Sequence, residues 1–175
     1  MNSKLSTLPE FTELLATAKA SAVHLEMRDT YYSNPRFEAW QQGDRVDWAD
    51  RASWWRPFHQ TVADAVARGV VIRRARVISE PVTEYIRWEH YQTQANIEAG
   101  EQVRWLPRTM ATQLLLPGTD CWVFDGSLVR AHHFSGDGEW IDNELLNESR
   151  VVARYASAFE AVWDSAIPHD QYRIK

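Results

Sequence analysis

Cysteine is nearly absent. Cys121 stands alone, so no internal disulfide framework can form, and the chain fits a reducing cytoplasm. Lysine is almost as scarce, at positions 4, 19 and 175 only. No apolar run approaches the roughly 18 residues of a membrane span. The start at 1–9 carries no secretory signal, which makes Asn147-Glu148-Ser149 an accidental glycosylation sequon. Positive charge is not in excess either: the formal net charge is −5, which disfavours direct nucleic-acid binding and an anionic membrane surface. There is no P-loop, no Gly-x-Gly-x-x-Gly and no Gly-x-Ser-x-Gly elbow, and nothing amounts to a catalytic signature or calls for a cofactor. Repeats, low-complexity tracts and Gly/Ser linkers are missing, so 1–175 reads as a single domain with 45% hydrophobic residues to fill a core.

What is present in excess is tryptophan and arginine. Nine tryptophans stand at 40, 48, 54, 55, 88, 105, 122, 140 and 163. Each indole N–H needs an acceptor when buried, so some are expected at grooves or interfaces. Of the 19 cations 16 are arginine, whose fork suits carboxylate, phosphate and interface contacts; Arg-rich codon usage is the plainer source. Charge is uneven: net −2 over 1–67, +2 over 68–110 and −5 over 111–175.

Apolar spacing predicts a helix over 9–20 and a short strand through Val23, Leu25 and Met27. Asn34-Pro35 opens a short helix that stops at Gly43, and Ser53 caps another over 54–68. The β-branched run 70–78 reads as a strand, Ser79-Glu80-Pro81 opens a helix to Ala99, and 102–106 is a second strand stopped by Pro107. Strand, helix, strand makes a βαβ unit with parallel strands. Further strands fall at 121–125 and 128–134 around a Gly126-Ser127 turn, with a short edge strand at 139–142. A final helix covers 149–166, ended by Pro168. The fold class is α/β: a mixed sheet covered by helices over 69–175, with an N-terminal helical region over 1–68.

Among candidate site residues, His132 and His133 point to opposite faces of a strand and cannot chelate one metal together; no metal set is formed. Cys121 lies inside a strand and reads as a buried thiol. The arginine block is the stronger candidate. Arg74 and Arg76 share one strand face, with Arg73 opposite. Tyr85, Glu89 and Asn96 fall on one side of the next helix, with Arg87 and His90 nearby, while Arg104 and Arg108 flank the next strand. Neighbouring parallel strands then bring Arg74, Arg76 and Arg104 towards one cleft at their carboxyl ends, where open α/β sheets bind ligands. The alternative is internal pairing with Glu80, Glu84, Glu89 and Glu101. His24, Glu26, Arg28 and Asp29 add a polar strand face, as a hydrogen-bonded network or part of a pocket.

The segments 24–29, 74–82 and 103–108, together with Leu116-Pro117-Gly118, 122–125, 133–138 and 159–163, resemble a family of uncharacterised actinobacterial, Streptomyces-type proteins often encoded beside helix-turn-helix regulators. The order of elements from 70 to 166 is similar to a phospholipase-D-like half-domain, a fold shared by enzymes and non-catalytic ligand sensors. Enzymes of that fold carry H-x-K-x4-D; here His132 and His133 lack the lysine and there is no second copy. The missing catalytic signature, the many tryptophans, the arginine cluster and that family context together point to a non-catalytic, cytoplasmic regulatory or interaction module. It would bind a partner protein, a helix-turn-helix regulator among the candidates, or a small anionic ligand, through Arg74, Arg76, Arg87, Arg104, Arg108, His24 and Glu26. The competing expectation is a hydrolase or transferase with its site near His24, Glu26 and Arg74/Arg76/Arg104.

Overall fold

The computed structural model describes residues 9–32 and 34–175; the leader reading at 1–8 lies outside them. The N-terminal region supplies α1 (Phe11–Thr17), β1 (Ser21–Glu26), α2 (Pro35–Gln41), α3 (Arg51–Trp54) and α4 (Pro57–Ala67). Asn34 caps α2 as its sequence requires, its side chain accepting from the Arg36 and Phe37 amides. The single helix expected over 54–68 is broken. Trp55 and Arg56 are extended, Arg56 at φ −121 and ψ 163, because Pro57 bars the residue before it from helical geometry and itself takes the first helical position of α4. Ser53 consequently lies inside α3 and caps nothing.

β2 (Val71–Ile78), α5 (Glu84–Glu98) and β3 (Gln102–Pro107) form the expected βαβ unit, and β2 and β3 pair in parallel. α5 begins three residues later than Pro81 because the Thr83 hydroxyl accepts from the Ile86 amide at 3.1 Å and fixes the start there. β4 (Cys121–Phe124) and β5 (Leu128–Phe134) form the hairpin. Its turn lies one residue earlier than expected, with Asp125 (φ 50) and Gly126 (φ 60) at the left-handed positions. Asp tolerates that conformation, and its carboxylate takes the amides of Lys19, Ala20 and Ser21 at 2.9, 2.7 and 2.9 Å. β6 (Trp140–Leu146) is longer than the edge strand expected at 139–142, and α6 (Ser149–Ser165) runs as predicted. Pro168 does more than stop α6: with Ile167 it forms a two-residue strand, β7, against β3.

The seven strands make one mixed sheet in the order β6-β5-β4-β1-β2-β3-β7. β1 thus lies in its interior, parallel to β2 and antiparallel to β4, so the N-terminal region contributes a central strand as well as helices. Alternation along the strands sorts the core by face. Val23, Leu25, Ala75, Val77, Cys121, Val123, Val129 and Ala131 pack under Val152, Phe159, Val162 and Trp163 of α6. On the other face Ala22, Ile72, Trp122 and Phe124 pack against Leu14 and Leu15 of α1 and Val62 and Ala65 of α4. Further along that face Ile78, Val103 and Trp105 meet Ile86 of α5 and Tyr172. Among the described residues no helix is long and apolar enough to cross a membrane.

Candidate functional site

The second face does not stay apolar. Pairing of β1 with β2 sets His24 beside Arg74 and Glu26 beside Arg76. Pairing with β4 sets Trp122 on the other side of His24, and β5 adds Arg130 beyond Trp122. One rung across four strands therefore reads Arg130, Trp122, His24, Arg74, all on one face. The His24 ring stacks on Trp122 at 4.3 Å and 13°. Over this rung opens a cleft of about 430 Å³, whose rim comes from α1 (Phe11), α2 (Arg36), α4 (Phe58, with Arg56 at its cap) and α5 (Tyr85, Trp88, Glu89, Asn96).

Its floor is an ion network. Glu26 accepts Arg74 Nη1 at 2.8 Å and Arg76 Nε at 2.5 Å. Glu101 takes Arg74 Nε and Nη2 at 2.7 and 3.2 Å, and Arg76 Nη1 donates to Thr93 at 2.6 Å. Burial alone would push the Glu26 carboxyl up, but Arg76 and Arg74 override it and hold it far below the usual carboxylate range. Burial likewise opposes charge on Arg74, and Glu101 and Glu26 more than restore it. Glu89 differs. Its burial, reinforced by Glu26, outweighs Arg76, so its carboxyl rises to about 7. Arg74 and Arg76 thus face the carboxyl groups of Glu26 and Glu101, and the opposite charges of the floor offset one another.

The rim is not. Arg36, Arg56 and Arg130 form no ion pair among the described residues. Arg36 lies over Trp88 at 5.8 Å, and Arg56 Nη2 meets only His59 Nε2 at 3.1 Å. Arg130 Nε is buried without a protein acceptor. Burial pushes all three guanidinium groups down, Arg56 to about 10 with the neighbouring Arg36 adding to the effect. Arg36 is exposed and Arg56 and Arg130 are half-buried, so the cleft gathers three partly desolvated positive charges without a salt-bridge partner. The Trp88 indole N–H and His24 Nδ1 also lack a hydrogen-bond partner there, although His24 Nδ1 is 3.6 Å from Glu26. Burial drives the His24 imidazole well below its ordinary value, so it is neutral.

The sequence-expected residues divide. Arg74, Arg76, His24 and Glu26 come together, with Tyr85, Glu89 and Asn96 above them. Arg104 does not join them. Its register partner is Ala75, which puts it across the sheet, where it donates to the Trp163 carbonyl at 2.9 Å and covers that indole at 4.4 Å. Arg108 ties the ends of β1 and β2 instead, donating to the Met27 and Val77 carbonyls at 2.6 and 3.2 Å. Arg87 is exposed on α5 outside the cleft. The expected convergence at the carboxyl ends of the strands is thus replaced by a cleft over the sheet face. Arg36, Arg56 and Arg130, the unpaired ones, were not in the expected set.

Nor, among the described residues, do Cys121, His132 and His133 form an activated nucleophile. Cys121 is buried on the α6 face, where burial pushes its thiol up to about 12. His132 and His133 do point apart; His133 is exposed and pairs with Glu144 at 3.1 Å, while burial lowers His132 to about 4. Among the described residues no group of three or more metal-ligating side chains is placed to hold an ion.

Residues 9–174 match the model of DUF6879, a domain of unknown function. The chain belongs to that family. No curated protein matches it. Among solved structures it is similar to Nuc, a phospholipase D family member from Salmonella typhimurium, at 13% identity and a TM-score of 0.50, over 93% of this chain and 88% of that one. It is also similar to TrmBL2, an archaeal chromatin protein, at 16% identity and a TM-score of 0.48, over 89% of this chain and 47% of that one. The likeness to Nuc shows a phospholipase-D-like fold. The fold's H-x-K element is absent: the residues two after the six histidines are Glu26, Thr61, Gln92, Phe134, Ser135 and Gln171.

Proposed function

We propose that this DUF6879 chain is a non-catalytic binding module that holds a small anion in the cleft over β5, β4, β1 and β2. The observation that carries the reading is the trio Arg36, Arg56 and Arg130, which line one cleft and form no salt bridge among the described residues. A carboxylate or phosphate group supplies the missing counter-charge and the acceptors that Arg130 Nε and Trp88 Nε1 lack. Aromatic rings of Phe11, Phe58, Trp88 and Trp122 line the same space and suit a ligand with an apolar or planar body. Arg74 and Arg76 support the floor through Glu26 and Glu101 and shape the site without being its free charges.

Against turnover stand the buried thiol, the missing H-x-K pair and a Glu26 whose two oxygens are both occupied by arginines. We infer a regulatory use in the cytoplasm, in keeping with the lone cysteine, with occupancy relayed to a partner protein. A helix-turn-helix regulator is the class that the family resemblance favours, and direct nucleic-acid contact is disfavoured by the net charge of −5. The test is calorimetric titration with benzoate and with inorganic phosphate. Binding that falls about tenfold in Arg130→Gln at unchanged melting temperature supports the reading. No binding of either anion at millimolar concentration overturns it.

A further inference from the structure

A second chamber of about 480 Å³ lies beside the cleft, and Arg36, Arg56 and Gln92 line both. The two arginines are therefore a shared wall. Trp40 and Trp54 line the chamber, and their indole N–H groups are buried and find no protein acceptor. An indole N–H can only donate, so whatever satisfies it must be an acceptor. Neither ring is loose. Arg45 covers Trp40 at 4.8 Å, and Trp48 meets Trp54 edge-on at 5.3 Å.

Several other polar groups of the chamber are already engaged or carry the wrong sign for an anion. Arg45 Nη1 donates to the Trp40 and Asp44 carbonyls at 2.8 and 2.6 Å. The Tyr91 hydroxyl accepts the Val46 amide at 2.7 Å, and Asp47 accepts the Ala49 amide at 3.0 Å. Asp44 and Asp47 both line the chamber, so an oxyanion deep inside it would meet two carboxylates. A neutral acceptor meets two indole donors and adds no charge.

We infer that this chamber takes a carbonyl oxygen of the same ligand whose anionic end is held at the arginine wall, so that the ligand class is an acid carrying a carbonyl set back from its charged group. The inference rests on the anion reading of the cleft and adds a second subsite to it. Both spaces fall within the roughly 300–1,000 Å³ typical of small-molecule sites, and Arg36 and Arg56 border both, so a molecule whose charged group meets them can extend its carbonyl into the chamber.

Two probes separate the two claims: 4-phenylbutanoate and 4-oxo-4-phenylbutanoate, which share ring and carboxylate and differ by one ketone. Each is titrated into ¹⁵N-labelled full-length protein, and the nine indole N–H signals are followed, with Trp40 and Trp54 assigned from Trp40→Phe and Trp54→Phe. Both acids are expected to bind, and Arg56→Gln is expected to weaken both about tenfold. The keto acid is expected to bind about tenfold tighter and alone to shift the Trp40 and Trp54 indole protons. Each Trp→Phe variant keeps an aromatic ring, removes the N–H and should erase the keto acid's advantage without changing the affinity for 4-phenylbutanoate. Assigning the indole signals also by through-bond and NOE spectra of the wild type keeps the shifts readable if a variant fails to fold. Equal affinity for the two probes with unmoved Trp40 and Trp54 signals overturns the chamber while leaving the cleft intact. If neither acid binds at millimolar concentration, the cleft reading fails and the chamber with it.

Discussion

Glu26→Gln is the sharpest perturbation of the site's floor. The substitution keeps shape and volume but removes the charge that serves Arg74 at 2.8 Å and Arg76 at 2.5 Å. The Glu26 side chain is only 12% exposed and those of both arginines 6%, so water cannot replace what is lost. The amide also turns an N–H group towards one of the two guanidinium groups, which can only donate. Breaking a buried ion pair from one side costs about 3–5 kcal/mol. With a urea slope of about 2 kcal/mol per molar, the unfolding midpoint should fall by about 1.5–2.5 M. The internal control is Glu160→Gln. Its pair with Arg73 is just as short, at 2.5 Å, but the Glu160 side chain is 51% exposed, and such a surface pair contributes no more than about 1 kcal/mol. Urea melts of the three proteins at pH 7 decide the matter. If Glu26→Gln loses no more than Glu160→Gln, solvent reaches the network and the description of a desolvated floor is wrong. Acid adds a second check. The folded-state value of Glu26 lies below its ordinary 4.5, so its contribution is full above that value and is lost as pH falls through the folded value; the gap between wild type and Glu26→Gln should close in acid.

Glu89 has the opposite sign: its value rises from 4.5 to about 7, so the folded state holds the proton more tightly and loses stability as pH climbs from about 4.5 through 7. Glu89→Gln should therefore gain on wild type by a few kcal/mol at pH 8 and by little at pH 4.5; comparing the two proteins at each pH cancels the histidines, and a flat difference from pH 4.5 to 8 refutes the assignment. Arg104→Gln should lower stability by about 1–2 kcal/mol through its Trp163 contacts and leave benzoate affinity untouched, whereas Arg130→Gln should do the reverse; calorimetry with thermal melts separates them, and lost affinity in Arg104→Gln would contradict its place across the sheet. Asp125→Ala removes three amide contacts and puts a left-handed φ of 50 on alanine, for an expected loss of about 2–4 kcal/mol in chemical denaturation; a loss below about 1 kcal/mol would mean the turn does not hold the entry to β1.

The fold was largely legible, because periodicity and turn chemistry are local. The run 71–78, the amphipathic spacing of α5 and α6, and the Asn34-Pro35 start each carry their own signal. What failed locally had nearby causes. Pro57 cut the helix expected over 54–68, and Asp125 moved the hairpin turn by one residue because its carboxylate was needed by amides 104 to 106 positions away. β7 was not foreseen because two residues after a helix carry no periodicity; only the β3 edge makes Ile167–Pro168 a strand.

The site was half legible for a related reason. Strand parity correctly put Arg74 with Arg76 and His24 with Glu26, since each pair lies on one strand. Parity on one strand says nothing about the next until the register is known. A shift of one residue in the β2–β3 pairing would have turned Arg104 to the other face; the observed register opposes it to Ala75 and hands it to α6. Arg130 escaped notice for the converse reason. Its alternation with Val129 and Ala131 was visible, but its place in the rung depends on β4 lying between β5 and β1. Arg36 and Arg56 each stand next to a proline at a helix start, where a single sequence shows only capping. What distinguishes these three arginines is the absence of a salt-bridge partner among the described residues, a property of the assembled sheet and helices. A dense run of arginines in sequence was therefore a poor guide to unpaired charge: in 73–76 the charges are consumed by Glu26, Glu101 and Glu160, while Arg36, Arg56 and Arg130, scattered between distant elements, form no salt bridge among the described residues.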